Sequence, residues 1–424
     1  MARKNLYPPS VTPGIPKYDF KPDNWIETRF GSVLRVVKRK VEMENETEYQ
    51  LVTAKRSRGG IVPREVLKGK QIKTKTQFYI KPGDFLISRR QIIHGACGVV
   101  PDELDGAIVS NEYSTLRPKN GLDIHFLDYF SHTVFFQQTC FQCSVGVDVE
   151  KMIFNVNDWL NYRVFLPPLP EQRRIANILG AWDEAISLTG RLIEAKQRRK
   201  QGLMQRLLTG SVRLSGFVKS EGFRTAFNTE VPLDWLVMEF DEFVSRDKRK
   251  FDPRKEIEEL PCIELEHISQ ETGQILGATS TQEQSSIKNR FNAGQVLFGK
   301  LRPYLKKFAR PDFDGACSSE IWVLAGKRKF CANQFLFYLV QSDRFMSAAN
   351  VTSGTKMPRS DWGYLSETTF ALPSPNEQRA IAAVLQTADE AIALLERKLA
   401  ALRRQKQGLM QRLLTGQVRV GEGD

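Results

Sequence analysis

LPPLPEQRRIANILGAWDEAISLTGRLIEAKQRRKQGLMQRLLTGSVRL runs from Leu166 to Leu214, and LPSPNEQRAIAAVLQTADEAIALLERKLAALRRQKQGLMQRLLTGQVRV runs from Leu372 to Val420. The two stretches align without a gap at an offset of 206 residues, and 29 of their 49 positions are identical. A repeat of this length governs the reading of everything around it, because each copy meets the same burial problem and solves it with equivalent neighbours.

Each copy reads as one long helix. Pro170 and Pro375 stand at the first turn, where a missing N–H forfeits no hydrogen bond. Glu171 and Glu377 follow, at the positive end of the macrodipole. The exits are Thr209-Gly210 and Thr415-Gly416, with glycine where a helix ends in a left-handed residue. Arg206 and Arg412 occupy the last turn, where a cation is favoured.

Apolar spacing within each copy is 4-3-4-3. It picks out Ile175, Leu179, Trp182, Ile186, Ile193, Leu203 and Leu207 in the first, with Thr189, Lys196 and Lys200 as polar members. In the second it picks out Ile381, Leu385, Ala388, Ile392, Leu395, Leu399, Leu402, Leu409 and Leu413, with Lys406 as the polar member. This is a heptad seam. At 1.5 Å per residue such a helix is a rod of roughly 50 Å. A narrow seam on a long rod needs a partner, and the expectation is that the two copies pair as an antiparallel coiled coil. A long amphipathic helix on a globular core, and pairing between molecules, are the alternatives. The polar seam residues would set register or mark where pairing ends.

Outside the helices the chain is also duplicated, in outline. DNWIETRFGSVLRVVKRK (23–40) matches LDWLVMEFDEFVSRDKRK (233–250), placing Trp25 opposite Trp235 and Phe30 opposite Phe240. KTQFYIKPGDFLISRR (75–90) matches IKNRFNAGQVLFGKLRPYLKK (287–307), and DGAIVSNEYSTLR matches DGACSSEIWVL. These read as strands and turns. The aromatic-rich patterns IHFLDYFSHTVFF and NQFLFYLVQSDRF read as helical. The order is therefore divergent domain, helix, divergent domain, helix, preceded by a Pro-rich, extended arm over residues 1–22. The divergence fits one fold carrying two reading surfaces, and fits neutral drift equally well.

Composition narrows the class. The formal net charge is +13 and the pI about 9.4, which points to a polyanionic partner, nucleic acid first. No run approaches the 18 apolar residues of a membrane span, and the N-terminal stretch lacks a signal-peptide core. Six cysteines in 424 residues do not make a disulfide framework, so a reducing, cytoplasmic setting is expected.

The repeated Leu-Pro-(x)3-Glu-Gln-Arg-x-Ile entry and KQGLMQRLLTG exit, closing two divergent domains, resemble the specificity subunits of type I restriction-modification systems. The resemblance covers essentially the whole chain. It implies an α/β (α+β) fold with two target recognition domains, residues 1–165 and 216–371. Conserved helices at 166–215 and 372–424 would join them, pairing as an antiparallel coiled coil. Each domain would read one half of a split double-stranded DNA target, and the helices would set the gap between halves. The subunit itself would have no catalytic activity. Two methyltransferase subunits would bring adenine-N6 methylation, and restriction subunits ATP-driven translocation and cleavage. S-adenosylmethionine, ATP and Mg would then sit on those partners, with no cofactor bound by this chain. Before the second helix, Thr352-Ser353-Gly354-Thr355-Lys356-Met357-Pro358 resembles the Ser/Gly-rich loop usual there. The first domain has the longer, less polar CSVGVDVEKMIFNVNDW instead.

Gly294–Lys300 matches G-x4-G-K, but Leu301 stands where a P-loop needs Ser or Thr, so a turn and strand are expected. Glu194-Ala195-Lys196 offers half a nuclease site but lies inside the repeat helix. Neither a cofactor-binding glycine turn nor an adenine-methylation motif is present in the sequence. His94-x2-Cys97 and Cys140-x2-Cys143 have zinc-like spacing, yet buried thiols are the plainer reading, and no metal is expected.

Candidate DNA contacts are basic loops: Lys55, Arg56, Arg58, Arg89, Arg90 and Gln91 in the first domain. In the second they are Lys300, Arg302, Tyr304, Lys306, Lys307, Thr355, Lys356 and Arg359. Arg and Gln can read base edges, while Lys and Thr more often fix phosphates. Each could equally be a solvated charge. The runs Lys38-Arg39-Lys40 and Lys248-Arg249-Lys250 read as phosphate steering or solvent. A coiled-coil scaffold that binds DNA without base readout, and an enzyme, are the competing function classes.

Overall fold

The computed structural model describes residues 7–17, 22–227, 229–353 and 356–421. The chain divides into two units: residues 1–189 with 398–424, and residues 190–397.

In the first unit a four-stranded antiparallel sheet runs in the order Leu34–Val36, Tyr113–Pro118, Phe85–Ser88, Cys97–Val99. A second sheet runs Ile61–Lys68, Glu48–Ala54, Ile108–Ser110, Gln77–Tyr79, with its middle pair parallel. Successive side chains of a strand point to opposite faces, and Phe85–Ser88 uses both. Phe85 and Ile87 enter the core that holds Phe30, Phe126, Phe136 and Trp159, while Leu86 enters the core under the second sheet. A strand covered on both faces reads as an unbroken apolar run, as FLI does here.

The second unit repeats this order with different residues. Its antiparallel sheet runs Val244–Asp247, Ile321–Gly326, Val296–Gly299, Phe308–Ala309. Its mixed sheet runs Thr279–Ser280, Pro261–Ile263, Gly315–Cys317, Lys288–Phe291, Lys250–Phe251, again with one parallel pair. Val296 and Phe298 face one core and Leu297 the other, as in the first unit. The outermost strand, Lys250–Phe251, is reduced in the first unit to a single bridge between Lys40 and Phe78.

Each aromatic-rich pattern forms two helices rather than one: Ile124–Phe130 and Val134–Gln142, then Asn333–Leu339 and Asp343–Ala349. The breaks come at Thr133 and Ser342, whose hydroxyls accept the N–H of Phe136 and Phe345 and so start a new helix. The arm is also more than an extended tail. Val11 is buried, and Ser10 Oγ lies 2.9 Å from His94 Nδ1.

The repeats form helices over Leu169–Thr209 and Pro375–Leu414. Both run antiparallel where they meet inside a unit. In the first unit Glu171 pairs with Arg419 and Asp183 with Lys406, so one number falls as the other rises. In the second, Glu377 pairs with Arg213 and Asp389 with Lys200. The outer seam residues are shared with the domain cores: Ile175, Leu179 and Leu413 in the first unit, Leu207, Ile381 and Leu385 in the second. Leu409 packs against the first of these cores and Leu203 against the second. Ile193 and Ile392 are buried, while Trp182, Ile186, Leu395, Leu399 and Leu402 are half-buried.

The entry motif has a physical reason in both copies. Gln172 donates to the carbonyls of Gly121 and Pro167 and accepts the Asp123 N–H, and Gln378 does the same with Phe330, Pro373 and Ala332. Each buried glutamine thus satisfies the loop leading into its domain's helices. The glutamate before it receives the arginine just beyond the end of the other repeated helix. Gly210 and Gly416 close the helices at φ +75°, the left-handed conformation expected of a C-terminal glycine.

Candidate nucleic-acid interface

The same local construction appears at one edge of each unit. In the first, the Arg89 N–H donates to the Glu112 carbonyl at 2.8 Å, and the Arg89 carbonyl accepts the Phe154 N–H at 2.9 Å. In the second, Lys300 donates to Glu320 at 2.9 Å and accepts from Ser360 at 2.9 Å. A short hairpin is thereby docked on the turn after the central strand: Ser144–Val145 with Ile153–Phe154, and Thr352–Ser353 with Arg359–Ser360. The unlike sequences noted before the two long helices therefore make the same hairpin with different loops. Val145 and Val147 are exposed in the first, and Met357 in the second.

Around the first hairpin, Arg56 is held on two sides, its Nε donating to Gln91 Oε1 at 2.7 Å and its Nη2 to Glu150 Oε2 at 2.9 Å. Glu150 also lies 3.3 Å from His94 Nε2. Lys55 is exposed, and the backbone turns sharply after it, with Ser57 and Arg58 at φ near +56° and +57°. Arg58 points inward, donating to the Ser131 carbonyl at 3.1 Å, and burial lowers its pKa. Arg89 donates to the Phe154 carbonyl at 3.3 Å. Arg90 is exposed and grips Glu112.

In the second unit, Arg302 and Lys306 both take left-handed backbone, φ +51° and +47°, in the turn that displays Tyr304 at 56% exposure. The Arg302 N–H donates to the Pro358 carbonyl at 2.8 Å, which ties this turn to the hairpin. Lys356 is exposed, and Arg359 pairs with Glu320. Lys306 pairs with Glu271 at 3.0 Å. Lys307 is turned to the Leu265 carbonyl at 2.6 Å. Thr355, with Gly354, lies outside the described residues.

Two basic runs differ from their sequence reading. Arg39 is no free charge: its guanidinium and that of Arg117 hold the fully buried Asp84 carboxylate, at 2.6 and 3.1 Å. Arg249 is engaged by Asp247, whose carboxyl it holds down at a pKa of about 2. A buried carboxylate recruits the nearest cation, and sequence alone does not show which acid will be buried. The carboxylates Glu112, Glu150 and Glu320, which organise the candidate arginines, escaped the sequence reading. The signal for Glu112 and Glu320 was the duplicated Ser-x-Glu in DGAIVSNEY and DGACSSEIW, which Glu150 does not share.

All four residues of the zinc-like pairs, His94, Cys97, Cys140 and Cys143, are buried. Burial pushes the Cys97 thiol up to about 12 and the Cys143 thiol up to about 11. Among the described residues no group of three or more His, Cys, Asp or Glu is placed to hold a metal ion. Nor is any helix of the described residues long and apolar enough to cross a membrane.

Two α+β units of one strand order, each holding the start of one repeated helix beside the end of the other, define a duplicated protein with a reader-like loop cluster in each half. The profile of the type I restriction modification DNA specificity domain matches residues 22–196 and again 232–404. The chain is 24% identical over 425 residues to the type I restriction enzyme MjaVIII specificity subunit of Methanocaldococcus jannaschii, covering 94% of both. It is 31% identical over 165 residues to the EcoDI specificity subunit of Escherichia coli, covering 38% of this chain and 36% of that one. Among solved structures, the HsdS subunit from Thermoanaerobacter tengcongensis aligns with a TM-score of 0.51 at 20% identity, over 96% of this chain and all of that one. A chain solved in work on complex assembly and conformational transition of the type I R-M system aligns at 0.56 and 20% identity, over 94% of this chain and 100% of that one.

The chain belongs to the type I restriction-modification specificity family. It is a non-catalytic DNA-recognition subunit.

Proposed function

We propose that each unit reads one half of a split double-stranded DNA target in the cytoplasm, and that the helix pair sets the gap between the halves. The observation that carries this reading is the hairpin hydrogen-bonded to the same turn in both units, with exposed cations and unlike loops around it. One scaffold with two loop sets suits two different half-sites. Base contacts then specify the sequence while the surrounding lysines position the backbone.

Two methyltransferase subunits, and restriction subunits beside them, dock on the long helices. Leu188, Leu192 and Leu394 support this, being apolar side chains left 49%, 45% and 61% exposed on those helices. S-adenosylmethionine, ATP and Mg are carried by these partners.

The test is single-molecule sequencing of adenine methylation in cells expressing the chain with the methyltransferase subunit of its system. Cells lacking the chain serve as control. A new motif of two short half-sites around a fixed gap is the expected result. An assembled complex that methylates nothing new, or methylates without a motif, overturns the reading in favour of a scaffold.

A further inference from the structure

Glu112 and Glu320 occupy equivalent places, 208 positions apart, in the turn leading into the central strands Tyr113–Pro118 and Ile321–Gly326. A serine two residues earlier, Ser110 or Ser318, accepts the N–H of each glutamate. Each glutamate carbonyl holds the turn described above. Both carboxylates then do the same thing with donors from different elements. Arg90, in the turn after the strand Phe85–Ser88, donates Nε to Glu112 Oε2 and Nη2 to Oε1, the latter at 3.2 Å. Arg359, in the hairpin, donates Nε to Glu320 Oε2 at 2.9 Å and Nη2 to Oε1 at 3.1 Å.

This side-on pairing uses one edge of the guanidinium. The other edge, formed by Nη1 and the second N–H of Nη2, is left over. Among the described residues neither arginine donates to a further partner. The arginine side chains are 55% and 41% exposed. The remaining fork has the spacing that engages guanine O6 and N7 in the major groove. A fixed carboxylate behind the guanidinium takes up the freedom that a long side chain would otherwise lose on binding. An exposed ion pair contributes little to stability, so folding alone does not account for two such pairs on equivalent carboxylates.

We propose that Arg90 and Arg359 each read a guanine, one per half-site, and that Glu112 and Glu320 are positioning residues that aim them. The inference rests on the recognition role proposed above. It adds the base class, the reading edge and the residues that set it.

The test maps adenine methylation with the assembled complex, comparing the unaltered chain with Arg90→Ala, Arg90→Lys, Arg359→Ala, Arg359→Lys, Glu112→Gln and Glu320→Gln. The unaltered chain is expected to show a G·C pair in each half-site. Either substitution of Arg90 relaxes one such position by roughly tenfold to a hundredfold and leaves the other half-site strict. Either substitution of Arg359 does the converse. The lysine variants keep the charge and lose the fork, so they relax the same position while retaining more total methylation than the alanine variants. Glu112→Gln and Glu320→Gln relax the positions of their own arginines, less severely.

A wild-type motif with no G·C pair in either half overturns the inference while leaving the recognition role intact. So does a motif unchanged in the arginine variants. A uniform loss of methylation in both the alanine and lysine variants, with no change in motif, assigns the pairs a structural role and overturns it too. Failure of the recognition role itself would show earlier, as the absence of any motif with the unaltered chain.

Discussion

Lys406 Nζ lies 2.5 Å from Asp183 Oδ1, and the other oxygen of that carboxylate accepts the Tyr129 hydroxyl at 2.8 Å. Lys200, Asp389 and Tyr338 repeat the arrangement at 2.5 and 2.8 Å in the second unit. Lys406 and Lys200 are two of the four polar members of the seam, and they meet the aspartate of the other helix rather than another apolar residue. Burial, reinforced by the aspartate, pushes both tyrosine pKa values up, so each hydroxyl remains a donor. The triad fixes the register of the helix pair and ties it to a recognition-domain helix at one point.

Replacing Asp183 or Asp389 by Ala removes the acceptor of two donors at once. The expected loss is about 1–3 kcal/mol for each, read as a lower urea midpoint. Exchanging the charges, Asp183→Lys with Lys406→Asp, should recover part of it. An unchanged midpoint in Asp183→Ala would refute a register role.

The arginine just beyond each long helix should matter unequally. Arg213, its side chain only 11% exposed, serves both Glu377 and Asp234, at 2.6 and 2.8 Å. Arg419 serves Glu171 at 2.6 Å and is 35% exposed. The residue equivalent to Asp234 in the first unit is Asn24, which carries no charge. Arg213→Ala strands two largely buried carboxylates and should cost about 3–5 kcal/mol. Arg419→Ala should cost clearly less, and equal losses in thermal unfolding would contradict the argument.

Gly210 and Gly416 should not tolerate alanine. Both sit at φ +75°, and an added Cβ would lie 2.5 Å from Pro232 Cγ at the first and 2.2 Å from Pro22 Cγ at the second. Left-handed backbone alone costs an L-residue roughly 1–2 kcal/mol, and the clash adds to it. Circular dichroism melts of Gly210→Ala and Gly416→Ala should both shift down; a neutral substitution would refute the packing.

His132 makes stability depend on pH. Burial, then Arg58 and Lys406, push its pKa down to about 4, against partial opposition from Asp183. An unfolded histidine takes its proton near pH 6.5. Between these values the unfolded chain binds more protons, so stability falls as pH drops, with a slope of up to about 1.4 kcal/mol per pH unit. His132→Asn should flatten that part of the curve in urea midpoints taken from pH 7 to 4.5. A curve of unchanged slope would show that the histidine is not responsible.

Much of the architecture was legible in the residues, for identifiable reasons. The helices announced themselves because Ile175, Leu179, Ile381 and Leu385 recur at the spacing of a buried face, and because glycine at 210 and 416 marks an end. The paired helices after Ile124 and Asn333 merged into one pattern, since the caps Thr133 and Ser342 lie within continuous aromatic periodicity. Of the candidate contacts, Arg56 and Gln91 come together, whereas Arg58 and Lys307 turn inward. Charge pattern shows that a loop is basic. It does not show which guanidinium meets an acid.

By itself the sequence determined the duplication, the two long helices and their ends, and the family. Each depends on residues close together in the chain, or on identity between two copies of one stretch. Only the tertiary structure decided that Lys406 belongs to Asp183, that Arg39 belongs to the buried Asp84, and that Glu112 and Glu320 each hold an arginine by one edge. Those pairings join residues far apart in sequence, and ion pairs carry no periodicity to read. Which carboxylate a cation meets is set by the elements that folding brings side by side: Asp84 is fully buried where it is met, Asp183 and Glu112 only half-buried.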